Sequence, residues 1–315
     1  MITLIGPPGE LDPAGYLWSN PDVRAAPHEG SDEDFAIWHF DRYGRKEGRL
    51  QLNTGQLAEV AAMREAKLVR LRERSSRHLR RVETEFAGVA MSLLAAPDDR
   101  LPVPFELISA NGYDDPISSW IDTHPEQLFL DMGAGLSHMY RPNVVYTEIA
   151  ALPSVDILAF GDDLPFEDAT FDGIVSLSVL EHVPDPFAVA VELLRVVRPG
   201  GRIVVDWPFL QPVHGYPNHY FNATAEGARV AFERLGASVE TSVPSHLHPV
   251  YVLHWFLRDW SVGLPDDRRD EFLELSVGQV LATANPWEHF DAPWMALRAE
   301  SQSILAAGTR LTITK

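Results

Sequence analysis

The run Phe129-Leu130-Asp131-Met132-Gly133-Ala134-Gly135 constrains this chain more than any other: apolar, strand-forming residues lead into an acid and then Gly-x-Gly. A strand ending this way turns sharply, and without Cβ atoms the backbone N–H groups can approach a ligand closely. The following sequence alternates strand and helix patterns. Asn143–Tyr146 is β-branched, and Gly173–Leu177 reads as a buried strand. Pro186–Val197 carries Phe187, Val191, Leu194 and Val197 on one helical side. Pro199-Gly200-Gly201 stops that helix ahead of the strand Arg202–Val205, and Thr224 caps a helix ending at Gly236. This alternation predicts an α/β fold with a doubly wound, mostly parallel sheet. The Gly-x-Gly turn then lies at the carboxyl end of the first strand. Glu148, 17 residues beyond Asp131 and just after the second strand, is placed to accept hydrogen bonds from ribose hydroxyls.

Composition removes several classes of function. Of 315 residues, 26 are Lys or Arg and 45 are Asp or Glu, a net charge of −19. Neutralising phosphates needs a cationic face, so general nucleic-acid binding is excluded. There is no cysteine, hence no disulfide, Cys-zinc site or thiol nucleophile. No uninterrupted apolar stretch reaches about 18 residues, which predicts no membrane span. The N-terminus lacks the basic region of a signal peptide, and a cytoplasmic protein is expected by default. No His or carboxylate spacing is clean enough to assign a metal.

Upstream of the turn lie two further segments. Residues 1–52 form a small helical module, with short helices at Tyr16–Val23 and Asp34–Tyr43, Ser31 or Asp32 as N-cap, and Gly44 as a stop. Trp18, Phe35, Trp38 and Phe40 are expected to pack as a satellite core. Residues 53–100 read as a long amphipathic helix and linker. Over 55–95, Leu57, Ala61, Leu68, Leu71, Leu79, Val82, Phe86, Val89 and Leu93 recur mostly at helical steps. Eight basic residues against two acids between Arg64 and Arg81 suit a face that docks on the chain's own acidic body, or a dimerisation helix. Residues 101–315 form the main domain, with a Trp-rich helical lid at about 242–285 and an edge strand at Thr309–Thr314. Neither upstream segment is expected to build the catalytic site, so a chain beginning near Pro97 should keep ligand binding.

Four motifs then fall in order: Asp131-x-Gly133-x-Gly135, Leu164-Pro165-Phe166 through Phe171-Asp172, Leu180-Glu181-His182-Val183, and Arg195 through Arg198-Pro199-Gly200-Gly201. Over residues 127–241 this order resembles class I S-adenosylmethionine-dependent methyltransferases. The resemblance implies a Rossmann-like sheet and S-adenosylmethionine as cofactor. It places Asp131, Gly133 and Gly135 at the methionine end, Glu148 on the ribose, and the loop 161–164 by the adenine. The adenine-contacting acid of such enzymes falls here on Phe160, so Asp162 or Asp163 substitutes, with Leu164 beside them. Ser137 stands where a third glycine is expected, and so few residues precede Pro142 that the first helix is very short or absent. Gly133→Val should place a side chain where the donor lies. The pattern of Tyr16-Leu17, Asn20-Pro21-Asp22-Val23, His39-Phe40, Tyr43-Gly44 and Glu47-Gly48-Arg49 resembles a helical module of bacterial surface-glycan and glycosyltransferase proteins.

The acceptor side should follow the strand Arg202–Val205. The loop Trp207–Asn222 offers Trp207, Gln211, Tyr216, Asn218 and Tyr220 to hold a sugar or other small polar acceptor, and His219 or His214 as general base. A methyltransferase acting on oxygen of a glycan or small acceptor is the leading reading. A non-catalytic methyltransferase-like scaffold in glycan assembly is the alternative. A nicotinamide enzyme is third, since Gly133-x-Gly135 lacks the glycine that its fingerprint requires.

Overall fold

The computed structural model describes residues 1–72, 79–104, 112–215, 218–282 and 292–305. The chain divides into two compact units, Met1–Trp207 and Pro208–Lys315.

The first unit is built on a seven-stranded sheet. Its chain-order strands are β4 (Arg80–Phe86), β5 (Val89–Ala95), β6 (Phe129–Met132), β8 (Val144–Glu148), β9 (Ile157–Leu158), β10 (Phe171–Leu177) and β11 (Val197–Asp206). Their spatial order is β11-β10-β6-β8-β9-β5-β4, parallel except for the β4–β5 hairpin. The chain starts the parallel sheet at β6, moves out one way through β8 and β9, and then crosses to the other side for β10 and β11. The reversal makes the carboxyl ends of β6 and β10 a topological switch point, where ligands of doubly wound sheets bind. β6 is buried along its whole length, as a strand covered on both faces should be. Asp172 closes the start of β10, accepting from the Leu128 N–H at 2.8 Å and from Arg198 at 2.6 Å. α6 (Asp115–Asp122) precedes β6, and α7 (Pro186–Val196) joins β10 to β11.

Residues 55–95 are not one helix. α5 (Leu57–Arg72) covers the first part, and the rest is the β4–β5 hairpin. Val82, Thr84 and Phe86, then Val89, Met91 and Leu93, fit a period of two as well as helical steps. Ala87 and Gly88, both at positive φ, form the turn that selects the hairpin. α5 buries Leu57, Val60, Leu68 and Leu71, and the same stripe includes Arg64 and Lys67. The stripe assigned to dimerisation is therefore covered within its own unit. Lys67 Nζ donates to Asp156 at 2.6 Å and to the Val144 carbonyl at 2.7 Å. Arg64 reaches Asp156 at 3.4 Å and the Pro153 carbonyl at 2.8 Å.

The N-terminal module belongs to this unit too. β1 (Ile2–Thr3) pairs with β7 (Met139–Tyr140), and β2 (Ile5–Gly6) with β3 (Gln51–Leu52). α1 (Pro13–Ser19), α2 (Pro21–Arg24) and α3 (Asp32–His39) enclose Tyr16, Leu17, Val23, Ala36 and Phe40. Ser31 is the N-cap of α3, accepting from the Asp34 N–H. The helix does not stop at Gly44: a π-helical turn, Phe40–Gly44, leads into α4 (Arg45–Glu47), and Gly48 ends it at φ 66°. Trp18 packs edge-on against Phe86 of β4, while Trp38 is 50% exposed and lies outside the core.

The second unit contains α8 (Ala225–Glu233), α9 (Pro249–Gly263), α10 (Asp266–Leu273), α11 (Val277–Ala282) and α12 (Ala299–Ile304). Thr224 caps α8 as expected. The edge strand expected at 309–314 and the end of the lid segment, 283–285, lie outside the described residues. No helix among the described residues is long and apolar enough to cross a membrane.

A chain beginning near Pro97 would lose β1–β5, two of them from the seven-stranded sheet, and both cations facing Asp156, which sets a stability cost against the expectation that it keeps binding. Within the full chain, Asp156→Ala would leave Arg64 and Lys67 buried without their carboxylate. The expected loss is about 3–5 kcal/mol of stability, measured by urea unfolding.

Candidate functional site

The turn after β6 is fixed by its own backbone. The Gly133 and Ala134 N–H groups both donate to the Thr147 carbonyl at 3.0 Å. The Gly135 N–H donates to Glu148 Oε2 at 3.0 Å. These three N–H groups therefore tie β6 to β8 instead of standing open to a ligand. Gly133 and Gly135 have φ of 73° and 56°, a region that favours glycine. A Cβ on Gly133 would lie 2.5 Å from Val179, so this glycine is required by packing against the turn after β10, and Gly133→Val would strike Val179. Gly161 is similarly tight against Met132 Sδ at 2.8 Å, which brings the loop after β9 to the end of β6.

Asp131 and Glu148 are the chemical centre of the turn. The Tyr113 hydroxyl donates to Asp131 Oδ2 at 2.5 Å. Burial pushes the Asp131 carboxyl up to about 7, with the neighbouring Glu148 adding to the rise and the Tyr113 hydrogen bond opposing it. Burial also raises Glu148, against N–H donors that favour its charge. Glu148 Oε1 accepts from the Ile149 N–H at 2.7 Å, and the Ala150 N–H also favours its charge; a carboxylate has about four lone-pair sites, so capacity for further donors is left. A pair of ribose hydroxyls could use that capacity.

No helix follows the turn. Ser137 donates its N–H to Ser154 Oγ at 3.1 Å, and Ser154 Oγ donates to the Gly135 carbonyl at 3.2 Å. The chain then forms β7 against β1. In the loop 161–164, Asp162 and Asp163 are exposed, but Leu164 is buried with its N–H held by Glu192 at 2.9 Å. Phe160 lies under the Arg100 guanidinium at 4.2 Å.

The turn after β10 completes this edge. Ser178 takes a left-handed φ of 55°, unusual for a side-chain-bearing residue, and donates its N–H to the Asp206 carbonyl at 2.9 Å. The 3-10 turn Leu180–His182 follows, with Glu181 fully buried. Tyr113, Ser178 and Val179 were missed by sequence reasoning. Tyr113 lies 18 positions upstream of Asp131 with no motif to mark it.

In the second unit the loop 208–223 is closed by the Ala223 N–H donating to the Pro208 carbonyl at 2.9 Å. His219 Nδ1 accepts from the His214 N–H at 3.1 Å, so its proton sits on Nε2, which donates to Asn222 Oδ1 at 2.7 Å. Both ring nitrogens are thus engaged. His214 Nδ1 donates to the Pro212 carbonyl at 2.8 Å, which puts its lone pair on Nε2. The His214 ring is 4.9 Å from Trp255 of α9. Asn218 donates to the Tyr220 hydroxyl at 3.0 Å, and the Gln211 carbonyl accepts from Asn222 at 2.9 Å. Trp207 is the last residue of the first unit, and Tyr216 lies outside the described residues.

Residues 132–205 match a family described as a methyltransferase domain. An uncharacterized methyltransferase of Mycobacterium sp. (strain KMS) is 42% identical over 79 residues, 24% of this chain and 30% of that protein. One from Mycobacterium marinum is 36% identical over 102 residues, 31% of this chain and 40% of that protein. The chain thus spans well under half the length of these relatives. Among solved structures, the YcgJ protein of Bacillus subtilis is 18% identical, with a TM-score of 0.35 over 52% of this chain and 85% of that one. A phosphoethanolamine N-methyltransferase of Haemonchus contortus, in complex with S-adenosyl-L-methionine, is 14% identical, with a TM-score of 0.32 over 51% and 44%.

Two outcomes test this geometry. Gly133→Ala is expected to destabilise by about 1–3 kcal/mol, with part of the loss recovered by adding Val179→Ala, in urea unfolding of the single and double variants. The second concerns the proton on Asp131. The folded chain holds it to about pH 7, whereas the ordinary carboxyl value is 3.8. Between those values the unfolded chain binds fewer protons, so stability falls as pH rises. Asp131→Asn removes that fall. Its melting temperature relative to wild type should climb between pH values of about 4 and 8.

Proposed function

We propose that this chain is an S-adenosylmethionine-dependent methyltransferase that methylates a hydroxyl of a sugar or other small polar acceptor. The observation that carries the donor site is the pair of buried Asp131 and half-buried Glu148 at the switch point of a doubly wound sheet, beside a Gly-x-Gly turn. Glu148, oriented by the Gly135 and Ile149 N–H groups, would hold the ribose hydroxyls. Asp131, Gly133 and Gly135 would line the methionine end, and Asp162 and Asp163 would flank the adenine. When bound, the donor supplies an electrophilic methyl group on a sulfonium.

The acceptor assignment rests on the chemistry of the loop 208–223 with Trp207. Aromatic faces suit the apolar face of a pyranose, and Gln211, Asn218 and Tyr220 carry hydrogen-bonding groups. A hydroxyl must lose its proton as its oxygen gains the methyl. His219 or His214 is the base we assign, an imidazole near neutral pH being suited to take that proton. The likeness of residues 1–52 to glycan-associated modules points to the same class of acceptor by association alone. One observation favours a non-catalytic scaffold instead: the N–H groups of Gly133, Ala134 and Gly135 are all satisfied internally.

Calorimetry with the methyl donor separates the two. Wild type is expected to bind, and Glu148→Ala to bind about 1–3 kcal/mol more weakly. No binding at millimolar donor would leave the scaffold reading. Labelled methyl should pass to glycan precursors in preference to amines or carboxylates, and His219→Ala or His214→Ala should lower turnover by about 10²–10⁴-fold with donor binding intact.

A further inference from the structure

We propose that Glu181 is a counter-charge for the donor's sulfonium: an acid sealed in the turn after β10 that favours the cationic donor over its neutral, demethylated product. This rests on the reading of the carboxyl edge as a methyl-donor site.

Three observations converge on Glu181. The first is position. Val179 is the side chain against which Gly133 packs, and Ser178 is pinned to the end of β11 by its hydrogen bond to Asp206. Glu181 therefore sits in a turn pressed against the Asp131–Gly135 turn, at the edge where doubly wound sheets bind ligands.

The second is isolation. Glu181 is 0% exposed, and neither carboxylate oxygen has a hydrogen-bond partner among the described residues. The His182 imidazole, a cation only when protonated, has its Nε2 3.8 Å from Oε1, within ion-pair reach but beyond hydrogen-bond length. Other acids of the unit are provided for differently. Buried Asp156 has Lys67 and Arg64, buried Asp131 has the Tyr113 hydroxyl, and half-buried Glu148 has backbone N–H donors.

The third is the local field. Burial pushes the Glu181 carboxyl up to about 7, with the charge of Asp206 at the end of β11 adding to the rise and a backbone N–H opposing it. Apart from that N–H, the described group of its unit that can offset the ionised form is the His182 imidazole, when protonated. A buried acid with no partner costs stability, and an apolar residue of similar size would serve the fold better. A fixed positive charge arriving at the same edge would change that balance. Being out of water, the interaction would be screened little by salt. The sulfonium is such a charge at every pH. The donor's α-ammonium is another, but the demethylated product carries it too, so comparing the two ligands isolates the sulfonium.

The experiment is calorimetry on the full chain with S-adenosylmethionine and S-adenosylhomocysteine, using wild type, Glu181→Gln and Glu181→Asp. Glu181→Gln is expected to weaken the sulfonium ligand by about tenfold and leave the neutral one within about twofold. Glu181→Asp should keep most of the wild-type ratio. Glu181→Met is a second neutral variant. Thermal melts should show both neutral forms at least as stable as wild type, because each removes an unpaired buried charge. An unchanged ratio of the two affinities in the neutral variants would overturn the proposal while leaving the donor site standing. Wild type that binds neither ligand would overturn the donor-site reading and this proposal together.

Discussion

One carboxylate organises the side of the sheet that the rest of the first unit is built around. Asp156, fully buried, accepts from Lys67 Nζ, Arg64 Nε, the Tyr146 N–H and the Tyr140 hydroxyl. Through it α5, β7 and β8 meet at one point. The Lys67 ammonium also sits 3.7 Å from the centre of the Tyr140 ring. Burial pulls that ammonium down to about 8, although Asp156 and its hydrogen bond work the other way. Charges this deep are tolerated only when paired, so α5 has little freedom to leave. The helix in turn covers β5, whose hairpin with β4 extends the sheet.

That rigidity bears on the carboxyl edge. β7 occupies the stretch where a helix would otherwise follow the Gly-x-Gly turn, and it is held by β1 and by Tyr140 on Asp156. The turn consequently has no helix N-terminus directly after it to attract a carboxylate. What it has instead is acid. Asp131, Glu148, Glu181 and Asp206 all lie at the ends of β6, β8, β10 and β11, with burial raising the first three. Such an edge repels anions and favours a ligand that brings hydroxyl donors and positive charge. A sulfonium nucleoside has both.

Strands β6, β8, β10 and β11, the helix between β10 and β11, and the cap at Thr224 were legible in the sequence because each carries a local signal: β-branched runs, Pro-Gly-Gly punctuation, a hydroxyl before a helix. The short strands β7 and β9 were not, and Glu148 was legible as the acid at the end of the second strand but not as the acceptor of the Gly135 N–H. The hairpin at 80–95 was not legible, because Val82, Phe86, Val89 and Leu93 satisfy both periods, and the Ala87-Gly88 turn together with the neighbour β9 decides for strands. Nor was the role of the basic run: Arg64 and Lys67 look solvated until Asp156, some 90 residues away, is brought to them.

By itself, then, the sequence determined an α/β sheet, the acid-and-glycine turn at its first strand, and the order of motifs around it, since these follow from residue type and short spacing. Only the tertiary structure decided what each group meets. Gly133 is glycine because Val179 lies against it, the turn N–H groups close on Thr147 and Glu148, and the Glu181 carboxylate is buried with no side-chain hydrogen-bond partner among the described residues. Those outcomes depend on which strand ends become neighbours at the switch point. That is a property of the crossover from β9 to β10, which no stretch of sequence carries alone.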